Sequence, residues 1–412
     1  MSEKNWSGTH KFAASILHYP TSIDEARALV ADAEYIRPLG TRHSFNEIAD
    51  GIELVSLVNV PPELTTDGST VTVTGGTQYA VLAHWLQQNG LALHNLGSLP
   101  HISVAGATST ATHGSGTGLG NLSTAIRGLE FIRPDGSLGM ISAGDEDFAG
   151  AAVALGLLGP VSRVTLAVQP TFQVRQDVFT GLEFSALIEN VQGVFSAGYS
   201  VSVFTDWVPD ACGVWVKSRI DAGEHVPQEL FGAKRETERR EILAGNDNTT
   251  VQGGVPGPWS ERLPHFRIDA NPSDGDEIQT EYMVSISDAV SALSAVRQLS
   301  AQIFPTLLVT ELRTVAADNL WLSTAYGRDT LCIHFTWKNL PEAVDAILPL
   351  IERALAPFAA RPHWGKVNHV HATTIAALYE KLPDFRRLVV RRDPEFKFSS
   401  VYLTELLALQ SP

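Results

Sequence analysis

The chain has 412 residues, of which 44% are hydrophobic and 18% charged, and its 45 acidic residues outnumber its 30 Lys and Arg residues. A single hydrophobic core stops growing at roughly 250 to 300 residues, so we expect two domains that are folded nearly throughout. The net charge of -15 repels phosphate backbones and anionic lipid surfaces, which excludes nucleic acid as an expected partner.

The cysteines and the N-terminus bear on the cellular compartment. Cys212 and Cys332 each lie in an apolar or aromatic setting, so we expect two buried thiols rather than a disulfide. The N-terminal stretch lacks the basic start and apolar core of a signal peptide, and no stretch approaches roughly 18 uninterrupted apolar residues. These features predict a cytoplasmic protein that does not associate with a membrane.

Short β-rich runs alternate with short helical patterns over the first 170 residues, which is a βαβ pattern. Ser22 and Glu25 have capping-box spacing, which predicts a helix that continues to about Ala33. A second helix is predicted at about 79–88, because Asn89 and Gly90 form a typical C-terminal signal. Its predicted inward-facing residues are Val81, Leu82, Trp85 and Leu86. The other predicted elements are strands at 35–39, 53–58, 70–74 and 161–168 and a helix at 146–155.

A long segment at 97–120 is rich in glycine and small hydroxyl residues. It contains too few bulky apolar side chains to pack as a regular helix or strand, so we predict a loop. Loops longer than roughly 12 to 15 residues are uncommon in compact domains unless they are functional. Small side chains allow the backbone to approach a bulky ligand closely.

The pattern changes after Pro170, where longer β-rich runs and two longer helical patterns predict an antiparallel sheet covered by helices. The segment at 245–258, rich in Gly, Asn, Thr and Pro, is predicted to be a surface loop. The predicted strands lie at 199–208, 213–216, 306–313 and 330–338, and the predicted helices at 287–303 and 341–355.

Several familiar catalytic motifs are missing from the sequence. The glycines at 114–120 do not have the spacing of a Rossmann fingerprint, and there is no P-loop, H-E-x-x-H or G-x-S-x-G motif. His363, His369 and His371 suggest a metal site, and the last two would share one face of a strand. No Cys or acidic residue nearby completes a recognisable ligand set, so we expect no metal.

Two segments, 38–46 and 97–116, are predicted to hold a ligand. In the first, a strand enters a glycine turn whose backbone N–H groups could bind a pyrophosphate, and Arg42 adds a positive charge. Together the two segments resemble the FAD-binding domain of the vanillyl-alcohol oxidase superfamily, and within it the aldonolactone and alditol oxidase branch. The resemblance extends along nearly the whole chain, including the stretches at 5–7, 310–314, 334–337 and 363–366.

The resemblance implies that FAD is bonded through its 8α-methyl carbon to His43. A turn histidine by itself more often makes only local hydrogen bonds, but the surrounding motif favours the flavin link. Neither cysteine falls in the flavin-domain loops, so a single covalent attachment is expected. The further implied FAD contacts are Gly40, Thr41, Arg42, Ser44, Ser103, Ala105, Gly106, Thr108, Thr110, His113 and Gly114, with Gly156, Gly159 and Val161 on the adenine side.

Polar residues alternate along two predicted strands of the second part. Glu311 and Arg313 project to one face of their strand, and His334 and Thr336 project to one face of the next. A polar strand face is usually solvated, but the apolar flanking residues here favour a buried, polar-lined cavity. The resemblance implies that the substrate hydroxyls are bound by Ser103, Glu311, Arg313, Thr336 and Lys366.

The implied catalytic residues are Arg313, Lys366 and His334. Arg313 and Lys366 would stabilise the developing alkoxide, and His334 is the candidate relay for its proton. The identity of the base stays open, because Lys366 could be neutral or could remain a fixed positive charge. Lys366 is also a candidate for favouring oxygen reduction, and Ala105 for leaving room for oxygen.

The expected fold is α+β: a vanillyl-alcohol-oxidase-type FAD-binding domain at 1–170, a substrate domain with a helix-covered antiparallel sheet at 171–375, and a C-terminal segment at 376–412 that returns to the FAD domain. The expected activity is oxidation of the terminal alcohol of an alditol, such as xylitol or sorbitol, by a monomer that reduces O2 to H2O2. An aldonolactone oxidase or dehydrogenase, a dehydrogenase with another electron acceptor, and a non-catalytic flavin- or sugar-binding module are the alternatives.

Overall fold

The computed structural model describes residues 3–208, 211–223, 226–243, 245, 247–270 and 276–409. The strands are β1 (Ile16–His18), β2 (Arg37–Pro38), β3 (Glu53–Val55), β4 (Leu64–Thr66), β5 (Thr70–Thr74), β6 (Leu91–Ala92), β7 (Ile126–Ile132), β8 (Leu138–Ser142), β9 (Val161–Ala167), β10 (Gln169–Pro170), β11 (Gln173–Glu183), β12 (Ser200–Thr205), β13 (Ala211–Arg219), β14 (Glu229–Leu230), β15 (Ala233–Arg235), β16 (Gly257–Pro258), β17 (Glu277–Ser285), β18 (Leu307–Val315), β19 (Thr330–Lys338) and β20 (Arg361–Pro362).

The α-helices are α1 (Ile23–Asp32), α2 (Tyr79–Gln88), α3 (Val104–Ser109), α4 (Phe148–Ala151), α5 (Phe184–Glu189), α6 (Val191–Phe195), α7 (Trp259–Arg262), α8 (Ala289–Arg297), α9 (Ser300–Ile303), α10 (Pro341–Leu355), α11 (Ala372–Leu378), α12 (Leu382–Arg392) and α13 (Val401–Leu406). Short 3-10 helices lie at Glu47–Ala49, Leu57–Asn59, Leu122–Ala125, Ile286–Asp288 and Ala356–Phe358.

The N-terminal part contains two larger sheets and a two-stranded one formed by β6 and β10. Strands β1, β3 and β2 form a parallel sheet, and β4, β5, β9, β7 and β8 form an antiparallel one. Between β1 and β2, helix α1 begins where the Ser22 side chain accepts a hydrogen bond from the Glu25 N–H group. The Glu25 carboxylate accepts from the Thr21 N–H group instead of closing the box on Ser22. The predicted βαβ start is therefore present, with one half of the capping box.

The predicted loop at 97–120 is in part helical. Helix α3 forms from small residues, and its Val104, Ala107 and Thr108 are buried. Hydrogen bonds from the Val104 and Ala105 N–H groups to the Thr77 and Gly75 carbonyls fix its first turn. Packing and these long-range bonds override the weak local preference, which is why the sequence pattern did not reveal the helix.

The second part is built on one ten-stranded sheet. Its order is β14-β15-β11-β13-β12-β18-β19-β17-β20, with β16 also paired to β11, and every pairing is antiparallel. Because side chains alternate along a strand, the central strands have two faces of different character. The helix-covered face carries Val203, Leu312, Ile333, Phe335, Trp337 and Tyr282, which are buried with residues of α5, α6, α8 and α10. The cavity face carries Lys217, Ser202, Glu311, Arg313, His334, Thr336, Gln279 and Glu281.

The C-terminal helices pack against the first part of the chain. Phe385, Leu388 and Leu403 share one buried cluster with Val71 and Leu82. The backbone joins the same parts, because the Ile36 N–H group donates to the Lys397 carbonyl. The boundaries near 170 and 375 stay a prediction.

Two further features concern the predicted compartment. Cys212 and Cys332 are both buried thiols. Among the described helices, none combines the length and apolar character needed to cross a bilayer.

Candidate active site

A cavity lies between the two predicted ligand-holding segments and the cavity face of the large sheet. Most residues predicted to contact FAD or substrate line it. They are Gly40, Thr41, Arg42, His43, Ser44, Ser103, Ala105, Gly106, Thr110, His113, Gly156, Gly159, Val161, Glu311, Arg313, His334, Thr336 and Lys366. The structure therefore brings together residues that are more than 300 positions apart in sequence.

Thr108 and Gly114 do not line this cavity. The buried Thr108 hydroxyl donates to the Val104 carbonyl at 2.9 Å, within its own helix. A Cβ atom at Gly114 would lie 2.3 Å from the Leu96 carbonyl oxygen, so this glycine permits close backbone packing. The contacts of both residues in the structure are with the protein itself, and their contact with FAD stays a prediction.

His43 lies at the end of the glycine turn with one ring nitrogen engaged. Its Nδ1 atom is 3.0 Å from the Thr41 hydroxyl oxygen, and the Trp6 ring stacks on it with a centroid separation of 5.6 Å. The buried Nε2 atom has no hydrogen-bond partner among the described residues. Burial, together with a smaller contribution from the neighbouring His101, lowers the pKa of His43 to about 4. His43 is therefore a neutral imidazole at neutral pH.

The turn before His43 is held close to the glycine-rich segment. A Cβ atom at Gly40 would lie 2.8 Å from the Ser103 hydroxyl oxygen, and one at Gly106 would lie 2.7 Å from the same atom. Ser103 is buried, and its hydroxyl has no partner among the described residues. Arg42 adopts a left-handed backbone conformation with a φ of 64°, and its guanidinium pairs with Glu3. Glu3 therefore partly compensates the positive charge of Arg42, which we predicted to lie beside a pyrophosphate.

Glu281 is the central residue that sequence reasoning missed. Lys366 Nζ donates to its Oε2 atom at 2.6 Å, and an Arg313 terminal nitrogen donates to its Oε1 atom at 2.8 Å. His113 Nε2 lies 3.4 Å from Oε1. Burial opposes ionisation of Glu281, but Lys366 and Arg313 outweigh it and hold its pKa well below the usual range. The sequence signal for a polar strand face at Glu281 was the placement of charged and amide residues at every second position, namely Glu277, Gln279 and Glu281.

Glu311, His334 and Glu281 form a row across β18, β19 and β17. His334 Nδ1 lies 3.7 Å from Glu311 Oε2, and neither ring nitrogen has a hydrogen-bond partner among the described residues. Burial lowers the pKa of His334 to about 4, and the charge of Lys366 adds to this effect. The ring is therefore neutral at neutral pH and can accept a proton.

The two cations differ in their protonation behaviour. Burial lowers the pKa of Lys366, although Glu281 opposes this shift. Burial also acts to lower the pKa of Arg313, but Glu311 and Glu281 outweigh it and raise that pKa above its ordinary value. Arg313 is consequently a fixed positive charge, whereas Lys366 loses its proton more easily than an ordinary lysine.

Candidate metal ligands are arranged differently from the sequence expectation. His371 precedes α11 and accepts from the Thr373 N–H group, and His369 pairs with Asp345 at 3.2 Å, so these two do not share a strand face. His113, Glu281 and Cys332 have ligand atoms within 4.8 Å of one another. Both Glu281 oxygens, however, already accept hydrogen bonds from Arg313 and Lys366. This group is better described as part of an ion-pair network.

Sequence comparisons match both parts of the chain. A model for an FAD binding domain matches residues 14–141, and a model for D-arabinono-1,4-lactone oxidase matches residues 276–406. An alditol oxidase of Streptomyces sp. strain IKD472 is 43% identical over 98% of both chains. An L-gulono-1,4-lactone dehydrogenase of Mycobacterium tuberculosis is 30% identical, also over 98% of both chains.

A structural comparison agrees with this α+β fold. Cholesterol oxidase from B. sterolicum superimposes with a TM-score of 0.78 at 14% identity, over 98% of this chain and 96% of that one. An identity this low shows the shared fold alone, whereas the sequence relatives show the family. The chain is an FAD-dependent oxidoreductase that belongs to the aldonolactone and alditol oxidase branch of the vanillyl-alcohol oxidase superfamily.

Proposed function

We propose that this enzyme oxidises the terminal primary alcohol of an alditol, such as xylitol or sorbitol, to the aldose and reduces O2 to H2O2. The observation that carries the proposal is the density of buried charged and polar groups on the cavity face. An alditol has a hydroxyl on every carbon and little apolar surface, so its binding must rely on hydrogen bonds to such groups. The 43% identity to an alditol oxidase supports the same substrate class.

The residues around His43 fit a covalently held FAD. The unpartnered His43 Nε2 atom and Ser103 hydroxyl lie buried at the cavity, where a bound group would satisfy them. Gly40 and Gly106 let the two ligand-holding segments pack closely against each other, because a Cβ atom at either position would lie within 2.8 Å of the Ser103 hydroxyl oxygen. We propose a single attachment at His43, since its neutral ring keeps a lone pair for bond formation. When bound, FAD supplies the acceptor for the two electrons and the hydrogen that leave the carbinol carbon.

Different residues of the cavity would bind the reacting hydroxyl and the remaining hydroxyls of the substrate. Arg313 and Lys366 donate hydrogen bonds to the oxygen of the reacting carbon and stabilise negative charge on it. Glu311 and Thr336 bind hydroxyls further along the chain, and Ser103 binds from the opposite wall. Because both cations already share Glu281, their nitrogen atoms are held in place before the substrate arrives.

The proton of the reacting hydroxyl has two candidate acceptors. His334 is neutral, and neither of its ring nitrogens has a hydrogen-bond partner among the described residues. Lys366 could accept the proton only in its amine form, which its lowered pKa makes more accessible. We propose His334 as the relay and Arg313 as the fixed charge.

Oxidation of an aldonolactone is the second candidate. The lactone oxidase model matches residues 276–406, which include β17, β18 and β19 and therefore much of the cavity face. Oxygen uptake with xylitol, sorbitol, L-gulono-1,4-lactone and D-arabinono-1,4-lactone separates the two candidates. We expect higher kcat/KM for the alditols and one H2O2 per O2 consumed. Preference for a lactone would overturn the proposal. Turnover with an artificial electron acceptor but not with O2 would also overturn it.

Attachment of the flavin is tested by acid precipitation of the wild-type protein and of His43→Ala. We expect yellow colour in the wild-type pellet and in the variant's supernatant. Flavin released from the wild type would contradict the covalent link. Light scattering during size-exclusion chromatography tests the proposed monomeric state.

A further inference from the structure

Lys217 is a buried lysine on β13 with no place in the mechanism above. Its side chain belongs to the cavity face of the sheet, but it does not line the cavity, and the residue is only 1% exposed. Its Nζ atom donates to the Leu263 carbonyl and lies 3.2 Å from His265 Nδ1. A buried lysine is costly unless its N–H groups are used, so these two contacts are informative.

His265 connects Lys217 to the cavity. Its Nε2 atom is 2.7 Å from Glu311 Oε1 and 3.2 Å from the Ser202 hydroxyl oxygen. The edges and faces of Phe204 and Trp215 hold the ring, each with a centroid separation of 5.6 Å. Burial lowers the pKa of His265 to about 4, and Lys217 is the next cause. The ring is therefore neutral and carries a single N–H group.

The chemistry of the partners decides which nitrogen holds that hydrogen. Burial opposes ionisation of Glu311, but the charge of Arg313 and the hydrogen bond from His265 outweigh it and hold the pKa of Glu311 well below the usual range. An ionised carboxylate only accepts hydrogen bonds, so the contact at 2.7 Å requires the hydrogen on His265 Nε2. The Nδ1 atom must then accept, and the Lys217 N–H group is its donor.

Lys217 can act in this way in either protonation state. Burial lowers its pKa to about 7, which Glu311 opposes and Arg313 reinforces. Both the ammonium and the amine carry N–H groups that can donate to Nδ1. When Lys217 is an ammonium, the opposite tautomer would place two N–H donors against each other at Nδ1, and in either state of Lys217 it would place two acceptors against each other at Nε2.

We infer that Lys217 is a positioning residue that selects the Nε2–H tautomer of His265 and thereby fixes the Glu311 carboxylate for the substrate. Glu311 Oε1 is held by His265. The other oxygen, Oε2, lies 3.7 Å from Arg313 Nε and 3.7 Å from His334 Nδ1, and both of these residues line the cavity. The inference rests on the proposed function in one respect, namely that Glu311 binds a hydroxyl of the alditol.

A double-mutant cycle tests the coupling between the two residues. Lys217→Met keeps the side-chain length without the donor, and we expect KM for xylitol to rise by about tenfold with a smaller change in kcat. His265→Gln offers an amide N–H group to Glu311 and has no tautomer to select. In that background Lys217→Met should change KM by less than about twofold.

Ser200→Ala is the matched control, because Ser200 lies directly opposite Lys217 on β12 and is equally remote from the cavity. We expect no change in KM for this variant. Equal effects of Lys217→Met in the wild-type and His265→Gln backgrounds would show independent action and overturn the inference. Loss of stability without a change in KM would also overturn it, since Lys217 would then be merely structural.

The tautomer itself can be measured without turnover, by ¹⁵N NMR of histidine-labelled protein with His265→Gln to assign the signal. We expect the Nε2–H form in the wild type and its partial or complete loss in Lys217→Met. An Nδ1–H signal in a wild-type enzyme that oxidises alditols would overturn the inference and leave the proposed function intact. The expected tautomers in a protein that does not oxidise alditols would overturn the proposed function and leave the tautomer selection intact.

Discussion

The two faces of the ten-stranded sheet are built by the same strands and differ by one residue in register. Leu312 and Phe335 on the helix-covered face are completely buried, and Arg313 and Glu311 on the cavity face are 5% exposed. Burial is therefore similar on both sides, while its physical meaning differs. Apolar burial stabilises the fold, whereas buried charges must compensate one another to avoid destabilising it. This difference is the one expected if the cavity face serves the proposed chemistry rather than the stability of the fold.

The largest effect is expected from breaking the ion network at Glu281. Glu281→Gln leaves Lys366 and Arg313 buried with one carboxylate fewer, which should lower the free energy of unfolding by about 3 to 5 kcal/mol and strongly reduce kcat/KM. Leu312→Ala, on the other face, should cost about 2 to 5 kcal/mol through its cavity. Urea unfolding and steady-state kinetics measure both quantities.

Leu312→Ala should affect catalysis only by lowering the fraction of folded protein, whereas Glu281→Gln should also reduce kcat/KM of the folded protein. At temperatures where Leu312→Ala remains folded, its KM for alditol should match that of the wild type. If both variants raised KM equally, the two faces would not be functionally distinct.

An intermediate effect is expected on acidification. His265 and His334 on the cavity face have pKa values of about 4, below the ordinary value of 6.5. Between these values the unfolded chain binds more protons than the folded one, so stability is complete above about pH 6.5 and falls as the pH drops toward 4. Each residue contributes a slope of about 1.4 kcal/mol per pH unit within this window.

His334→Gln removes one of the two histidines that titrate in this pH range. Urea unfolding at several pH values between 4 and 6.5 should show a shallower loss of stability for the variant. Parallel curves for the wild type and the variant would mean that His334 is not held neutral by the fold.

The smallest effect is expected from adjacent residues on β19. Thr336→Val removes one neutral hydrogen-bonding group from the cavity and should raise KM about fivefold, equivalent to about 1 kcal/mol. Phe335→Leu loosens the stack on Trp337, whose ring centroid lies 5.0 Å away, and should lower stability by about 1 to 3 kcal/mol with no change in KM. A KM effect for Phe335→Leu as large as that for Thr336→Val would argue against the division.

The sequence predicted elements well where periodicity was strong. Helices α2 and α10 and strand β19 have the expected bounds, because their apolar residues repeat without interruption and clear signals mark their ends. Val81 was predicted to face inward but is 41% exposed, since the apolar arc of α2 is wider than the surface that covers it. The predicted helix at 146–155 is confined to α4, because Ala152 to Gly156 turn at a left-handed Leu155.

The candidate site was predictable only in part. The paired loops and the Glu311 and Arg313 strand could be recognised from local motifs, and the structure brings them to one cavity. The importance of Glu281 and His265 could not be inferred from the sequence, because it arises from contacts with residues that are far apart along the chain. His265 is 48 positions from Lys217 and 46 from Glu311, and only the sheet order brings the three together.

The most direct test of the account is anaerobic flavin reduction by xylitol compared with 1-pentanol, which has the same carbon number and a single hydroxyl. If the cavity face recognises the substrate through its hydroxyls, xylitol should reduce the flavin with an efficiency about ten-thousandfold higher, because pentanol would leave buried polar groups unpaired. Comparable reduction by the two alcohols would contradict the claim that this face of the sheet is a polyol-binding surface.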